Sequence, residues 1–364
     1  MAPEKIVKTT CQVCDQSCGI LCHVKDGKIV KIEGDPEHPV SGGMVCPKGI
    51  AQTQVVYHPD RLKYPLKRVG ERGEGKWQRI PWDEALDTIA KKLTETQEKY
   101  GTESVAVVVG GFPRRNFTAT RILADSLGTP NWGWTDAMYC WGPHYVAESV
   151  TWGGHRRITE AFVVDVENNS SCIMVWAGNP VQTHTLLARR IMKARARGAK
   201  LIVIDPRLTA TASKADLWLR PRPGTDGALA LGMLNVIINE GLYDADFVDK
   251  WCAGFEELKQ RVQEYPLEKV AEITWVPAED IKMAARMYAT TKPSALYVRV
   301  SPGMIANSTQ CIRAINLLIA ITGNIDVKGG NVFQCFPSGY LRRGFFFAKD
   351  RRLPEEIEEK RLGA

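Results

Sequence analysis

Four cysteines constrain this chain more than any other feature. Cys11, Cys14 and Cys18 stand at C-x2-C-x3-C spacing in one short loop, and Cys46 returns 28 residues later beside Pro47. A [4Fe–4S] cluster takes four thiolates, one at each corner of the cubane. One loop reaches three corners, and a returning segment supplies the fourth. Two alternatives stand beside the cluster: tetrahedral zinc, and free cysteines packed in a core. Structural zinc usually joins C-x2-C to a second such pair or to histidines, and only the first half of that pattern is present.

A chain of 364 residues is long enough for two or three domains with a buried core. Its apolar fraction of 44% and charged fraction of 24% are those of a soluble globular protein. The net charge of +7 is spread out, apart from Arg114-Arg115, Arg156-Arg157 and Arg342-Arg343. No helix-turn-helix, zinc-finger or RNA-binding signature accompanies it, so nucleic acid is not the expected partner. A bound anionic cofactor accounts for the mild positive balance. The ten cysteines are too dispersed for a disulfide scaffold. The N-terminus, Met-Ala-Pro-Glu-Lys-Ile, has no apolar leader region, and no run approaches the ~18 apolar residues of a membrane span. An oxygen-sensitive cluster fits an anaerobic, reducing setting, so the expectation is a cytoplasmic protein with no direct membrane insertion.

In chain order, Leu21–Lys25 and Lys28–Ile32 read as two strands joined by an Asp26-Gly27 turn. Cys22 falls in the first and reads as a core residue. A helix is expected from about Trp82 to Tyr100, with Asp83 as its cap, Ala85, Leu86, Ile89 and Leu93 on one face, and Gly101 as its stop. Ser104–Val109 reads as a buried strand and Thr118–Leu127 as a helix. Residues 131–154, rich in Trp and Gly, read as no regular element. Ser171–Ala177, Thr183–Ala196 and Lys200–Ile204 form a strand–helix–strand unit of a parallel sheet. It lacks G-x-G-x-x-G, which argues against ordinary NAD binding. Helical pieces follow over 246–252, 255–263 and 278–290, then a strand at Ser294–Val300 and a helix over 308–322.

The cysteine loop with Cys46-Pro47-Lys48-Gly49, the segment from Asp60 to Trp82, and Thr322–Asn331 resemble the molybdenum/tungsten bis-pterin oxidoreductases. That superfamily includes formate dehydrogenases, dimethyl sulfoxide and thiosulfate reductases, and acetylene hydratase. The resemblance implies an α/β fold: a small β-rich Fe–S domain followed by Rossmann-like parallel-sheet domains, without the family's C-terminal pterin-binding domain. The implied boundaries are 1–60 for the cluster domain, 61–136 for a first α/β part, 137–332 for the pterin-dinucleotide domain, and 333–364 for a further fragment or partner-binding tail.

The resemblance also implies roles. Cys11, Cys14, Cys18 and Cys46 hold the [4Fe–4S] cluster, and Lys48 lies between it and the pterin. Cys140 stands where the family places the ligand to Mo or W; from physics alone, a lone cysteine among aromatics is a buried small hydrophobe. His144 is a candidate acid or base and also reads as an ordinary core histidine; His155 is a weaker candidate. Gly178, Asn179 and Pro180 end one strand, and Asp205 and Arg207 end the next. Taken singly, these and the Arg222–Gly227 stretch are turns and caps. As a set they match a site for molybdopterin guanine dinucleotide, with Asp205 on ribose, Arg222, Gly224 and Thr225 at the pyrophosphate, and Asp226 on guanine.

Three departures bear on function. Trp141 follows Cys140 where formate dehydrogenases usually have histidine, and Asn331-Val332-Phe333-Gln334 replaces their segment after the Gly-Gly turn, which weakens formate as substrate. Asp15 after Cys14 is similar to acetylene hydratase; beside a negative cluster its pKa is expected to rise, making it a proton donor. Its other reading is a loop cap. The likeness fades after Gly330, so a partner chain is expected to complete the second pterin site or to carry electrons, with Arg342–Phe347 as its contact. The expectation is a molybdopterin-dependent oxidoreductase or subunit acting on a small molecule. The alternatives are a hydratase or reductive dehydroxylase, and an electron-transfer or scaffold subunit without Mo or W.

Overall fold

The structure is a computed structural model and describes residues 3–110, 117–135, 140–153, 165–333 and 353–361. His155, Arg114-Arg115, Arg156-Arg157 and the Arg342–Phe347 stretch lie outside the described residues. The chain forms two compact units: Met1–Thr53 with Ala137–Cys335, and Gln54–Asp136 with Phe336–Ala364.

The first unit begins with three antiparallel strands, β1 (Lys5–Thr10), β2 (Gly19–Lys25) and β3 (Lys28–Gly34). The expected Asp26-Gly27 turn joins β2 to β3, and both residues take positive φ, the left-handed conformation that tight hairpins demand. A small core of Cys11, Ile20, Cys22 and Ile32 lies beneath the sheet, which places Cys22 in packed surroundings.

The larger sheet of this unit is wholly parallel, in the order β10 (Leu217–Leu219), β9 (Lys200–Ile204), β8 (Cys172–Trp176), β11 (Ser294–Val298). Every residue of β8 and β11 is buried, as expected of strands covered on both faces and explaining their unbroken apolar runs. The helix Asp226–Asn239 is apolar around most of its circumference and lies in the main core with the helices Ala278–Thr290 and Ser308–Ile321. The helix Thr185–Ala196 crosses from β8 to β9 and packs against the other core. Burying one such Leu or Ile contributes ~1.5–3 kcal/mol, so these cores hold the sheet ends in place.

The Thr322–Asn331 segment completes the free edge of β11 with side chains rather than a strand. Asn324 Oδ1 accepts from Ser294 N at 3.0 Å. Asn331 takes Leu296 N on Oδ1 and gives Nδ2 to Leu296 O, both at 2.8 Å, so one amide satisfies a strand residue on both sides.

Some expectations need correction. In the second unit a hairpin of β4 (Leu66–Arg68) and β5 (Trp77–Arg79) leads through Pro81 into the helix Trp82–Tyr100, so Asp83 lies inside the first turn rather than capping it. Leu86 and Ile89 are exposed at 57% and 56%, and the helix buries no residue. The expected strand Ser104–Val109 shrinks to β6 (Val107–Val109), because Thr102–Ser104 form a 3-10 turn, and Val108 faces out. Residues 131–154, expected to be irregular, contain β7 (Trp132–Trp134), parallel to β6, and the helix Trp141–Trp152. Their Trp and Gly content hid the pattern, since a three-residue strand has no readable period. The helix Leu267–Thr274 was not expected either.

Replacing Asn331 by Ala strips both backbone groups of Leu296 of buried partners. The expected loss is about 2–6 kcal/mol, at ~1–3 kcal/mol per orphaned group. It is read as a lowered urea midpoint against wild type.

Candidate metal and cofactor site

The strand order of the parallel sheet reverses at β8. From β8 the chain moves outward through β9 to β10, then returns on the other side as β11. In open parallel sheets a crevice opens beyond the carboxyl ends at such a reversal, and ligands bind there. Gly178–Pro180 and His184 follow β8, and Tyr297 and Arg299 end or follow β11. The close approach explains the glycine: a Cβ on Gly178 would lie 3.1 Å from the Arg299 side chain and 3.2 Å from the Tyr297 ring.

Two residues of the cysteine segment reach this crevice. Asp15 Oδ1 lies 2.5 Å from His184 Nε2, and its Oδ2 lies 3.7 Å from Arg299 Nη1. Lys48 Nζ donates to the carbonyls of Gln182 at 2.6 Å and Thr183 at 3.3 Å. Arg299 also sits 5.3 Å from the centre of the Trp141 ring, the residue after Cys140. Cys140 directly precedes the helix Trp141–Trp152, at its N-cap position. His144, one turn further on, is fully buried, with its ring 4.8 Å from that of Trp141. Gly303 fixes the pair: a Cβ there would come within 2.8 Å of both the Cys140 carbonyl oxygen and the His144 ring.

The four cluster cysteines act on one another. The Cys18 thiol is pushed up to about 11, first by burial and then by the negative potentials of Cys14, Cys11 and Cys46. Cys14 is also raised, chiefly by burial, with a hydrogen bond to the Gln16 backbone opposing. Thiols that repel one another's charge form a donor set that a cationic iron centre relieves. Cys11 N donates to Cys18 O at 2.8 Å and closes the loop, while Gln52 Nε2 lies 3.4 Å from Cys11 Sγ as an N–H donor to sulfur. Gly49 has no room for a side chain, since its Cβ would lie 2.5 Å from Val45 and 3.3 Å from Cys11 Sγ. Among the described residues no three His, Cys, Asp or Glu converge on one point as a single ion requires. A cubane instead takes its thiolates at separate corners. Four mutually repelling thiols with no histidine among them are the donor chemistry an iron–sulfur cluster takes.

The Asp15 carboxyl answers to the residues folded onto it. Burial pushes its pKa up, but the hydrogen bond to His184, the charge of that ring and the charge of Arg299 together outweigh burial and hold the carboxyl below its ordinary value. The sequence showed its neighbours in the cysteine loop and not the residues that fold onto it. His184, Tyr297 and Arg299 had no motif to mark them.

Around the dinucleotide motif, Asp226 Oδ1 accepts from Trp176 Nε1 at 2.7 Å, and burial of the carboxyl among its neighbours raises its pKa. A half-buried acceptor of this kind fits a donor-rich guanine edge. Asp205 lies at the end of β9, where its Oδ1 accepts from Arg207 N at 2.8 Å. Thr225 Oγ1 donates to Arg222 O at 2.6 Å, Gly224 takes a positive φ, and the turn leads into the helix that begins at Asp226. Arg222 lies 5.2 Å from the Trp275 ring centre. A cavity of about 770 Å³ opens beside Gly224 and Thr225, lined also by Leu231, Phe255, Arg261 and Asn307. Asn179 is occupied locally, bonding to Gln182 and Thr211. The residues of both motifs thus fit the expected groups. The structure brings Lys48 to Gln182 and Thr183 and Asp15 to His184, just after the Gly178–Pro180 turn, with Arg299 between Asp15 and Trp141.

This arrangement, a cysteine-rich β segment seated on the switch point of a parallel α/β sheet, defines an iron–sulfur protein with an additional cofactor crevice. Residues 4–58 match the Fe4S4 domain of molybdopterin oxidoreductases, and residues 61–341 match the molybdopterin oxidoreductase family itself. The chain belongs to the molybdopterin oxidoreductase family, whose domains carry a [4Fe–4S] cluster and molybdopterin with Mo or W. It is 42% identical to acetylene hydratase of Syntrophotalea acetylenica over all of its own length and 49% of that protein. It is 36% identical to the molybdopterin-containing subunit of thiosulfate reductase of Salmonella typhimurium, over 89% of this chain and 42% of that one. Among solved structures, acetylene hydratase from Pelobacter acetylenicus superposes with a TM-score of 0.75 at 43% identity, covering 90% of this chain and 44% of that chain. The chain spans about half the length of these relatives. Among the described residues, no helix is long and apolar enough to cross a membrane.

Two outcomes follow. Cys46→Ala abolishes retention of a cubane's iron, whereas Cys22→Ser leaves iron content at the wild-type level, both by metal analysis of anaerobically purified protein. For Asp226, a folded pKa above the unfolded one favours folding fully at acid pH, and that contribution is lost as pH rises through the folded value. Asp226→Asn is therefore expected to gain stability over cofactor-free wild type as pH rises above ~4, read by urea midpoints across pH.

Proposed function

We propose that this chain is the cluster- and pterin-bearing part of a molybdopterin enzyme that performs two-electron redox chemistry on a small molecule. The carrying observation is that Asp15 and Lys48, each beside a cluster cysteine, meet the crevice at the β8–β11 reversal, which Arg299 links to Trp141 and the Cys140 loop. Cys11, Cys14, Cys18 and Cys46 hold the cluster, Cys140 ligates Mo or W, and Gly178–Pro180, Asp205, Arg207 and the Arg222–Asp226 turn hold the dinucleotide. When bound, the metal–pterin exchanges two electrons while the cluster passes one at a time.

The chain's own residues prepare that site. Lys48 places a cation between the cysteine loop and the crevice, fixed on the Gln182 and Thr183 carbonyls. Arg299 and Trp141 close one side, and the Asp15 carboxyl lies beside Arg299. His144 lies behind Cys140, packed rather than open to substrate. Thiols that must stay reduced to bind iron suit a cytoplasmic or similarly reducing location. Further protein, in this chain or in a partner subunit, is needed to complete the second pterin site and carry electrons onward.

A second reading, hydration of a small unsaturated substrate, draws support from the similarity to acetylene hydratase and from Asp15 in the crevice. It ranks second because the family model matched over residues 61–341 is that of the oxidoreductases.

Anaerobic purification of the native complex tests both. Iron with Mo or W, extractable guanine nucleotide and turnover coupled to a viologen dye support the redox reading. Hydration with no net dye oxidation or reduction supports the second. Iron alone sinks both and leaves an electron-transfer subunit. Cys140→Ala is expected to keep its iron and to lose at least ~90% of turnover, since first-shell ligation exceeds the 10–100-fold effect of outer-shell partners.

A further inference from the structure

His184 carries no motif, yet it is 4% exposed in the crevice and engages groups on three sides. Nε2 lies 2.5 Å from Asp15 Oδ1, while Nδ1 lies 3.2 Å from the Tyr297 hydroxyl and 3.0 Å from Thr183 Oγ1. His184 Nε2 and Asp15 Oδ1 share one hydrogen bond, and on the other side of the ring the Tyr297 hydroxyl bonds Nδ1. Tyr297 is 2% exposed on β11, so this hydroxyl is set by the sheet rather than by a loop. The neighbouring backbone is held as well, because Lys48 bonds the carbonyls of Gln182 and Thr183.

We propose that His184 is a positioning residue for the metal site. Backed by Tyr297, it fixes the Asp15 carboxylate opposite Arg299, on the side of the crevice where Trp141 and the Cys140 loop lie. The same bond fixes a charge one residue from the cluster ligand Cys14, so His184 acts on the cluster as well as on the substrate side. The inference rests on the reading that Cys140 ligates the metal, and it goes beyond that reading by assigning a role outside the ligands.

The test uses the intact holo-complex with His184→Ala, His184→Gln and Tyr297→Phe. It reads iron and Mo or W content, the cluster midpoint potential by EPR-monitored titration, and kcat with KM. His184→Ala is expected to keep its metals, to lose 10–100-fold in kcat with KM changed less than about threefold, and to displace the cluster potential. His184→Gln, which keeps an N–H donor for Asp15, is expected to restore most of both. Tyr297→Phe is expected to fall between. Wild-type kcat and potential in His184→Ala overturn the proposal, as does a kcat that falls only in step with lost metal, or a glutamine variant no better than alanine. If the wild-type complex holds iron but no Mo or W, the metal-site reading fails; the cluster potentials of the three variants still decide the role of His184.

Discussion

The reversal of strand order between β8 and β11 is the constraint on which the rest of this structure depends. A parallel sheet must return each crossover over one face, so a change in direction leaves an uncovered gap at the carboxyl ends. Here the gap lies between two fully buried strands, held by the largest apolar core of the unit. Residues at its rim are therefore placed by rigid elements, which a site of defined geometry requires. Three contacts then seat the cysteine segment on the span that follows β8: Lys48 on Gln182 and Thr183, Asp15 on His184, and Arg190 Nη2 on the Val40 carbonyl at 2.7 Å.

Charge is the second organising principle. The thiols of the loop raise one another's resistance to ionisation, so the loop is poised for a cation. On the crevice side the imbalance is met within the protein, by His184 and Arg299 against Asp15 and by Lys48 against backbone carbonyls. The Arg222–Asp226 turn follows a different logic, since half-buried Asp226 has Trp176 as its bonded neighbour and its pKa is raised by burial. One chain thus gathers thiols in one loop, fixed charge at the crevice, and a carboxyl at the start of a helix.

Much of the fold was legible because its strongest elements have strong local patterns. Val-Ile-Met runs bounded by Gly-Asn-Pro and Asp-Pro-Arg marked β8 and β9, and Asp-Gly marked the hairpin of the cysteine segment. The failures have physical reasons. β7 has only three residues, and the helix Trp141–Trp152 is apolar with little polar periodicity, so neither announced itself. The helix Trp82–Tyr100 is amphipathic, yet its apolar face lies exposed: a pattern states what a surface is suited to bury, not what is there to cover it.

By itself the sequence determined the cysteine spacing that calls for a cluster, the α/β alternation, and the turn motifs that end the strands, because each is written within a few neighbouring residues. Only the tertiary structure decided that Asp15 meets a histidine 169 residues away and that Arg299 stands between it and Trp141. A carboxyl's proton affinity is set by what lies within a few ångströms, and no local pattern records which distant residues the fold will bring there.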